Sequence, residues 1–313
     1  MWRFMSIVPV LALLAACGGH DGGEESSDPV DSPLPLPTAG GSRWASIERD
    51  DDGDGLAEQI TSYAYDALGR RTLQTTWRAE NGIPTGEPVE VQGWSYDGSS
   101  RLSAHTVRDA HGDRQTTASY AADGLLASTQ LRWEGSTTVR TTAFTWQGLR
   151  IVGTATDDAQ PLNERVFYSA DGLVERIERR FGDDAQADVD RYQWRSDDQL
   201  SGASFSLAVG NLIVHGLGYD ANGQITRSTK TDDGFEDEMR RYAHDDRGRL
   251  QRIEVDIQPS SFADEDFVAD RVYRIRWEDG LCQPTYRIER PPTFDHQITM
   301  QARADGTTLG CAP

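Results

Sequence analysis

An aromatic residue, any residue, a second aromatic, Asp and a short Gly-containing turn recur through this chain at a nearly constant interval. The fullest copies are Tyr63–Arg71 and Tyr242–Leu250, the latter with His244 in the second aromatic place. Trp94, Tyr96 and Asp97 follow the same plan, as do Leu217, Tyr219, Asp220 and Gly223. Weaker copies begin at Tyr120, Phe144, Tyr168, Tyr192, Ile275 and Ala302. Between successive first positions the steps are 31, 26, 24, 24, 24, 25, 25, 33 and 27 residues. Two strands of about eight residues with their turns come to roughly 24, so each unit reads as one β-hairpin and its connection. Self-similarity at a fixed period is the mark of a repeat architecture.

The residue types suit that reading. Aromatics two apart point to one face of a strand, so Tyr63 and Tyr65 stack toward neighbouring strands. The turn acids Asp66, Asp97, Asp220 and Asp245 have carboxylates that bond backbone N–H groups two residues on. Gly69, Gly223 and Gly248 take the turn position that needs a positive φ. The returning run Leu250–Ile257 alternates apolar and polar residues, as do Tyr273, Ile275 and Trp277 with Arg274 and Arg276. No segment after residue 43 sustains a helical period. The expected fold is all-β: tandem β-hairpin repeats forming a long curved or spiral antiparallel sheet.

In the run from Tyr63 to Arg70 and again from Tyr242 to Arg249, and partially at 94–102 and 217–225, the chain resembles the YD repeats of Rhs-type proteins. The resemblance covers residues 44–313, with Trp, Phe or Ala replacing Tyr in the middle units. It implies a spiralling antiparallel sheet, which in large toxins of that family closes into a shell. With about ten units and no appended toxin domain, an open strip about twenty strands long is expected here. Trp44–Ile60 would cap its first end.

The N-terminus reads as an address. One charge, Arg3, precedes an apolar run from Ile7 to Ala16, too short to span a bilayer. The run ends in Leu14-Ala15-Ala16-Cys17, which is similar to a bacterial lipobox and makes Cys17 the lipidation site of a signal peptide spanning 1–17. The alternative is an ordinary signal peptide with an incidental cysteine. Gly18, in place of Asp, favours the outer membrane, where multiple acyl chains anchor stably. Residues 18–43, rich in Gly, Pro, Ser and acid, read as a disordered tether. Setting Cys17 aside leaves Cys282 and Cys311. In an oxidising envelope that pair suggests a disulfide stapling the last units, with two free thiols as the alternative.

Composition excludes several classes. With 31 basic and 51 acidic residues the formal charge is −20, which argues against nucleic acid and polybasic membrane binding. A transmembrane barrel is disfavoured by the lipid anchor, by charges on both strand faces and by a missing C-terminal aromatic. There is no GxSxG, Walker loop or GxGxxG, and the six histidines lack metal-ligand spacing.

The sharpest chemical feature is Asp50–Glu58. Asp50, Asp52 and Asp54 with Gly55 at the sixth position suit a hard cation, with the Leu56 carbonyl and Glu58 as further ligands. Thr61 stands where a bidentate Glu would complete an EF-hand loop, so calcium is a candidate cofactor of weak affinity. The other reading is a solvated acidic turn. Asp183 and Asp233 stand at the same nine-residue offset from the next aromatic and read as decayed copies.

Trp94, Trp133, Trp146, Trp194 and Trp277 are read as core, against a glycan-stacking platform. The long steps at 78–93 and 256–270 mark loops suited to partner contacts, or functionless insertions. Together these readings give an outer-membrane-anchored lipoprotein with a non-enzymatic binding, adhesion or scaffolding role toward an unidentified protein or glycan. The alternative is a toxin-system accessory that holds or neutralises an effector, followed by a glycan hydrolase.

Overall fold

In the computed structural model the described residues are 42–281, apart from 158–160, 185, 197–198, 208–209 and 211, together with 311–312. Cys17, Cys282 and the unit at Ala302 lie outside them, as does the side chain of Cys311, so the lipidation and disulfide expectations do too.

Eighteen strands follow one another as hairpins, from β1 (Ser42–Asp50) to β18 (Arg271–Asp279), and every consecutive pair is antiparallel. The sheet does not stay open. β1 pairs with β18 from Ser42↔Asp279 to Asp50↔Val272 and with β2 (Gln59–Tyr65) on its other side. Ring closure removes both edges that an open strip would leave unpaired. The segment expected as a terminal cap is therefore the closing strand. A short β19 (Cys311–Ala312) also pairs with β1 at Ser42 and Arg43. The only helical turn among the described residues is Asp264–Asp266.

One strand face carries the buried ring. Ile47, Gln92, His105, Thr116, Thr154, Ile177, Arg179 and Ile253 all lie on it and are nearly inaccessible. We place this face inside, because concave side chains converge while convex ones fan apart. Two apolar clusters run along the wall through consecutive strands. One joins Trp44 and Ile47 to Ile225, Tyr242, Ile253 and Ile275. The other joins Val166 and Ile177 to Tyr192 and Leu200. On the same strands as the second cluster sits a buried ionic triad, with Arg179 bonding Glu164 at 2.8 Å and Asp190 at 2.5 Å. The outer face carries small and charged residues, such as the Glu48–Arg276 and Arg252–Glu254 pairs. A lipid-facing wall would need an apolar band there.

The repeat motif explains one rim. Seven turns of this rim share one closure, in which the N–H of the first turn residue donates to the carbonyl four residues on, as Asp66 does to Arg70 at 2.9 Å. Asp66 Oδ1 also accepts from Leu68 N at 2.9 Å and from Arg70 N at 3.0 Å, and Oδ2 accepts from Arg70 Nε at 2.6 Å. Asp97 and Asp245 repeat the arrangement with Arg101 and Arg249. Asp220 keeps the backbone bonds with Gln224 as its partner.

Wherever a Tyr or Trp fills the second aromatic place, it reaches sideways to the neighbouring hairpin. Tyr65 donates to the Trp44 carbonyl, Tyr96 to Arg71, Tyr120 to Leu102, Tyr168 to Ile151 and Tyr219 to Leu200. Trp146, Trp194 and Trp277 do the same through the indole N–H. Burial pushes the phenols of Tyr120 and Tyr168 up to about 12, so both stay protonated donors at neutral pH. Each turn arginine then lies over the aromatic of the next unit: Arg70 is 4.4 Å from the Tyr96 centroid and Arg101 4.3 Å from that of Tyr120. Tyr120 and Tyr168 thus fill the second aromatic place. The first place in their units belongs to Ala118 and Val166.

Gly69, Gly223 and Gly248 have φ between +75° and +79°, whereas Ser100 holds the equivalent place at φ +64°. A non-glycine residue in that region is strained. Ser100→Gly is expected to stabilise the protein by about 0.5–1 kcal/mol, read as a raised melting midpoint.

Burial raises the carboxyls of Asp66, Asp97 and Asp245, but their arginine and backbone N–H bonds outweigh it and hold them below the usual aspartate range. A depressed folded value means stability present above the unfolded value near 3.8 and lost as pH falls through the folded one. Denaturant midpoints should fall as pH drops from about 5 toward 2. The Asp66→Asn, Asp97→Asn and Asp245→Asn variants should show a shallower fall.

Candidate functional site

The acidic loop lies on the opposite rim, between β1 and β2. Its backbone curls around its own carboxylates. Asp50 Oδ1 accepts from Gly53 N at 2.6 Å, and Oδ2 accepts from Gly55 N at 3.0 Å. Gly53 and Gly55 have φ +76° and +94°, which lets the chain turn this tightly. Asp52 accepts from Asp54 N, Asp54 from Leu56 N, and Glu58 Oε2 from Asp51 N at 2.6 Å.

One carboxylate oxygen from each of Asp50, Asp52, Asp54 and Glu58 falls within 4.8 Å of the others. The structure therefore brings together all four acidic residues proposed from the sequence. Leu56 is in the same loop, with its side chain exposed. Such an oxygen set matches the hard-ligand chemistry of calcium.

Asp50 is fully buried. Burial raises its carboxyl, but the Arg274 bond at 2.7 Å and the two glycine N–H groups outweigh it and hold it low. Asp51, absent from the sequence-based ligand set, joins the loop to β18. It bonds Arg49 at 2.8 Å and Arg271 at 2.6 Å. Its role was not readable from the chain, because Arg271 is 220 residues away.

Two neighbouring loops complete this sector of the rim. The turn joining β3 (Arg71–Glu80) to β4 (Ile83–Tyr96) is tied on by Ala79 N, which donates to the Glu58 carbonyl at 2.7 Å. The 258–270 insertion folds over the outer face of the wall. Arg241 lies 4.1 Å from the Phe267 ring centroid, and Val268 N donates to Asp256 Oδ2 at 2.9 Å. The insertion covers an outer wall that includes the buried Met239 and Val272.

The other sequence candidates resolve into structure. Trp94 is buried and stacks on His105 at 5.0 Å. Trp146, Trp194 and Trp277 are the wall donors described above, while Trp133 is exposed with Arg114 stacked at 5.3 Å. Asp233 forms a tight turn with Gly234 and accepts from Leu212 N.

No protein-family model matches this chain, and no curated protein matches it in sequence. Among solved structures it is similar to a porin-like protein from Bacteroides uniformis, at 11% identity over 75% of this chain and 98% of that one, with a TM-score of 0.41. It is also similar to a Tc holotoxin pore chain of Photorhabdus luminescens, at 14% identity over 68% of this chain, with a TM-score of 0.26. A TcdB2–TccC3 complex matches at 18% identity over 64% of this chain, with a TM-score of 0.27. This chain spans only 15% and 13% of those two toxin chains.

A cation held by Asp50, Asp52, Asp54 and Glu58 would relieve their mutual repulsion, and binding to the folded state alone raises stability. Millimolar calcium is expected to raise the melting midpoint and chelator to lower it. The Asp52→Asn, Asp54→Asn double variant should abolish the difference. An unchanged midpoint in the native chain would remove the site.

Proposed function

We propose that this chain is a lipid-anchored protein of the bacterial outer membrane whose barrel is a non-enzymatic binding or scaffolding module. The observation that carries this reading is the division of labour between the rims. On one rim the repeated Asp, Arg and aromatic groups are all engaged in joining hairpin to hairpin. On the other, the loops differ from one another and present carboxylates and apolar side chains to solvent. A uniform scaffold with one varied rim suits recognition.

The same turn chemistry supports reading the repeats as YD-type, since Tyr, Asp, Gly and Arg of the motif each have a defined place in one recurring unit. The Leu14–Cys17 motif supports the anchor, and the low-complexity stretch that precedes β1 a tether holding the barrel clear of the bilayer, with Ser42 and Arg43, counted with the tether from the sequence, belonging to β1. The polar outer wall supports a body standing in water.

Protease added to intact and to permeabilised cells tests the placement. Digestion in intact cells would put the barrel on the cell surface, with partners among extracellular glycans, other cells or secreted proteins. Protection until permeabilisation would put it in the periplasm. A fraction that remains soluble after signal removal, with no acyl label on Cys17, would refute the anchor.

A further inference from the structure

Beside the acidic loop the β3–β4 ladder opens. Thr76 pairs with Glu90 and Arg78 with Thr85, so one residue on β3 faces four on β4, Gly86 to Val89. Bulges of this kind re-aim side chains and concentrate at barrel rims and sites. Here the bulge walls a groove of about 640 Å³ with Glu58, Arg78, Glu80 and Glu87 among its lining.

Charge and apolar surface coincide there. Glu80 and Glu87 have no ion-pair partner among the described residues, and Arg78 is the one cation of the lining. At the hairpin tip Ile83 is 65% exposed, and Leu56 in the adjoining loop is 43% exposed. The two turns touch, since a Cβ on Gly82 would lie 4.0 Å from Leu56 Cδ2. A carboxylate-lined groove ending in exposed aliphatic side chains is complementary to a segment that carries both positive charge and apolar groups. The net charge of −20 reinforces attraction of such a partner and opposes approach to anionic lipid.

We propose that the groove between the β1–β2 loop and the β3–β4 hairpin docks a basic, apolar-interspersed polypeptide segment of a partner protein. Arginine or lysine side chains meet Glu58, Glu80 and Glu87, and an apolar side chain covers Ile83 and Leu56. The docking is independent of where in the envelope the barrel stands.

The test is fluorescence anisotropy of the full chain with a short labelled peptide of alternating arginine and leucine, in chelator and at low salt. A glutamate–leucine peptide serves as the control. The expected result is saturable binding of the basic peptide alone, weakened at least tenfold in Glu80→Gln/Glu87→Gln and reduced in Ile83→Ser. Both residues are exposed, so the melting midpoint of the double variant should match the parent. The remote pair Glu175→Gln/Asp246→Asn removes the same charge and should leave binding unchanged. Equal weakening by the remote pair would reduce the effect to bulk charge and overturn the proposal, as would no binding. Retention on zwitterionic vesicles that Ile83→Ser abolishes would assign the patch to a membrane instead, which also overturns it.

Discussion

The pairing of the first strand with the last is the constraint on which the rest of this molecule depends. A meander of hairpins ends in two rows of unpaired N–H and C=O groups, and β1 satisfies both by lying between β18 and β2. The side chains of that seam are correspondingly rich in charge. Arg43–Glu278, Arg276–Glu48, Arg274–Asp50 and Arg271–Asp51 cross it in sequence from one rim to the other. Trp44 packs between Tyr63 and Trp277 at 5.6 and 6.2 Å, so aromatics seal the inner face while the first three of these ion pairs lie on the outer one. The contacts with β18 join residues more than 200 positions apart. Their loop-closure entropy is met only once the whole meander exists, which makes closure a late folding event.

Closure also sorts the loops by purpose. In an even-stranded meander the turns alternate between two rims, so a motif repeated once per hairpin lands on one rim only. That rim becomes a belt. Where the motif is complete, the aspartate orders its turn and holds an arginine, the arginine covers the next aromatic, and the aromatic bonds the carbonyl of the hairpin before it. The other rim carries no such obligation and is free to vary in length and composition. The acidic loop, the bulged hairpin and the 258–270 insertion all stand there, next to the seam.

Much of this architecture was legible in the chain. The spacing of aromatics gave hairpins because strand and turn lengths are set by backbone geometry, and the Asp–Gly turns followed from their φ requirements. The four acids at Asp50, Asp52, Asp54 and Glu58 could be grouped because their proximity is local. What could not be read is whatever depends on distant partners. The resemblance to an open spiral suggested a strip, and nothing near Trp44 announces that it meets Trp277. The sideways bond from each second aromatic, and the stacking of each arginine on the next unit, join neighbouring repeats and have no signature within one. Tyr120 and Tyr168 were assigned to the wrong place in the motif because Ala118 and Val166 do not look like anchors.

The direction of β1 carries a mechanical consequence. Its first residue, Ser42, sits on the belt rim, and the strand runs from there across the wall to Asp50. Any tension reaching the barrel through the preceding chain acts along the strand's own axis. It loads the hydrogen bonds to β18 and β2 together, in shear, instead of peeling them off singly. The strand that closes the barrel is thus also the one best oriented to bear a load arriving from the N-terminal side.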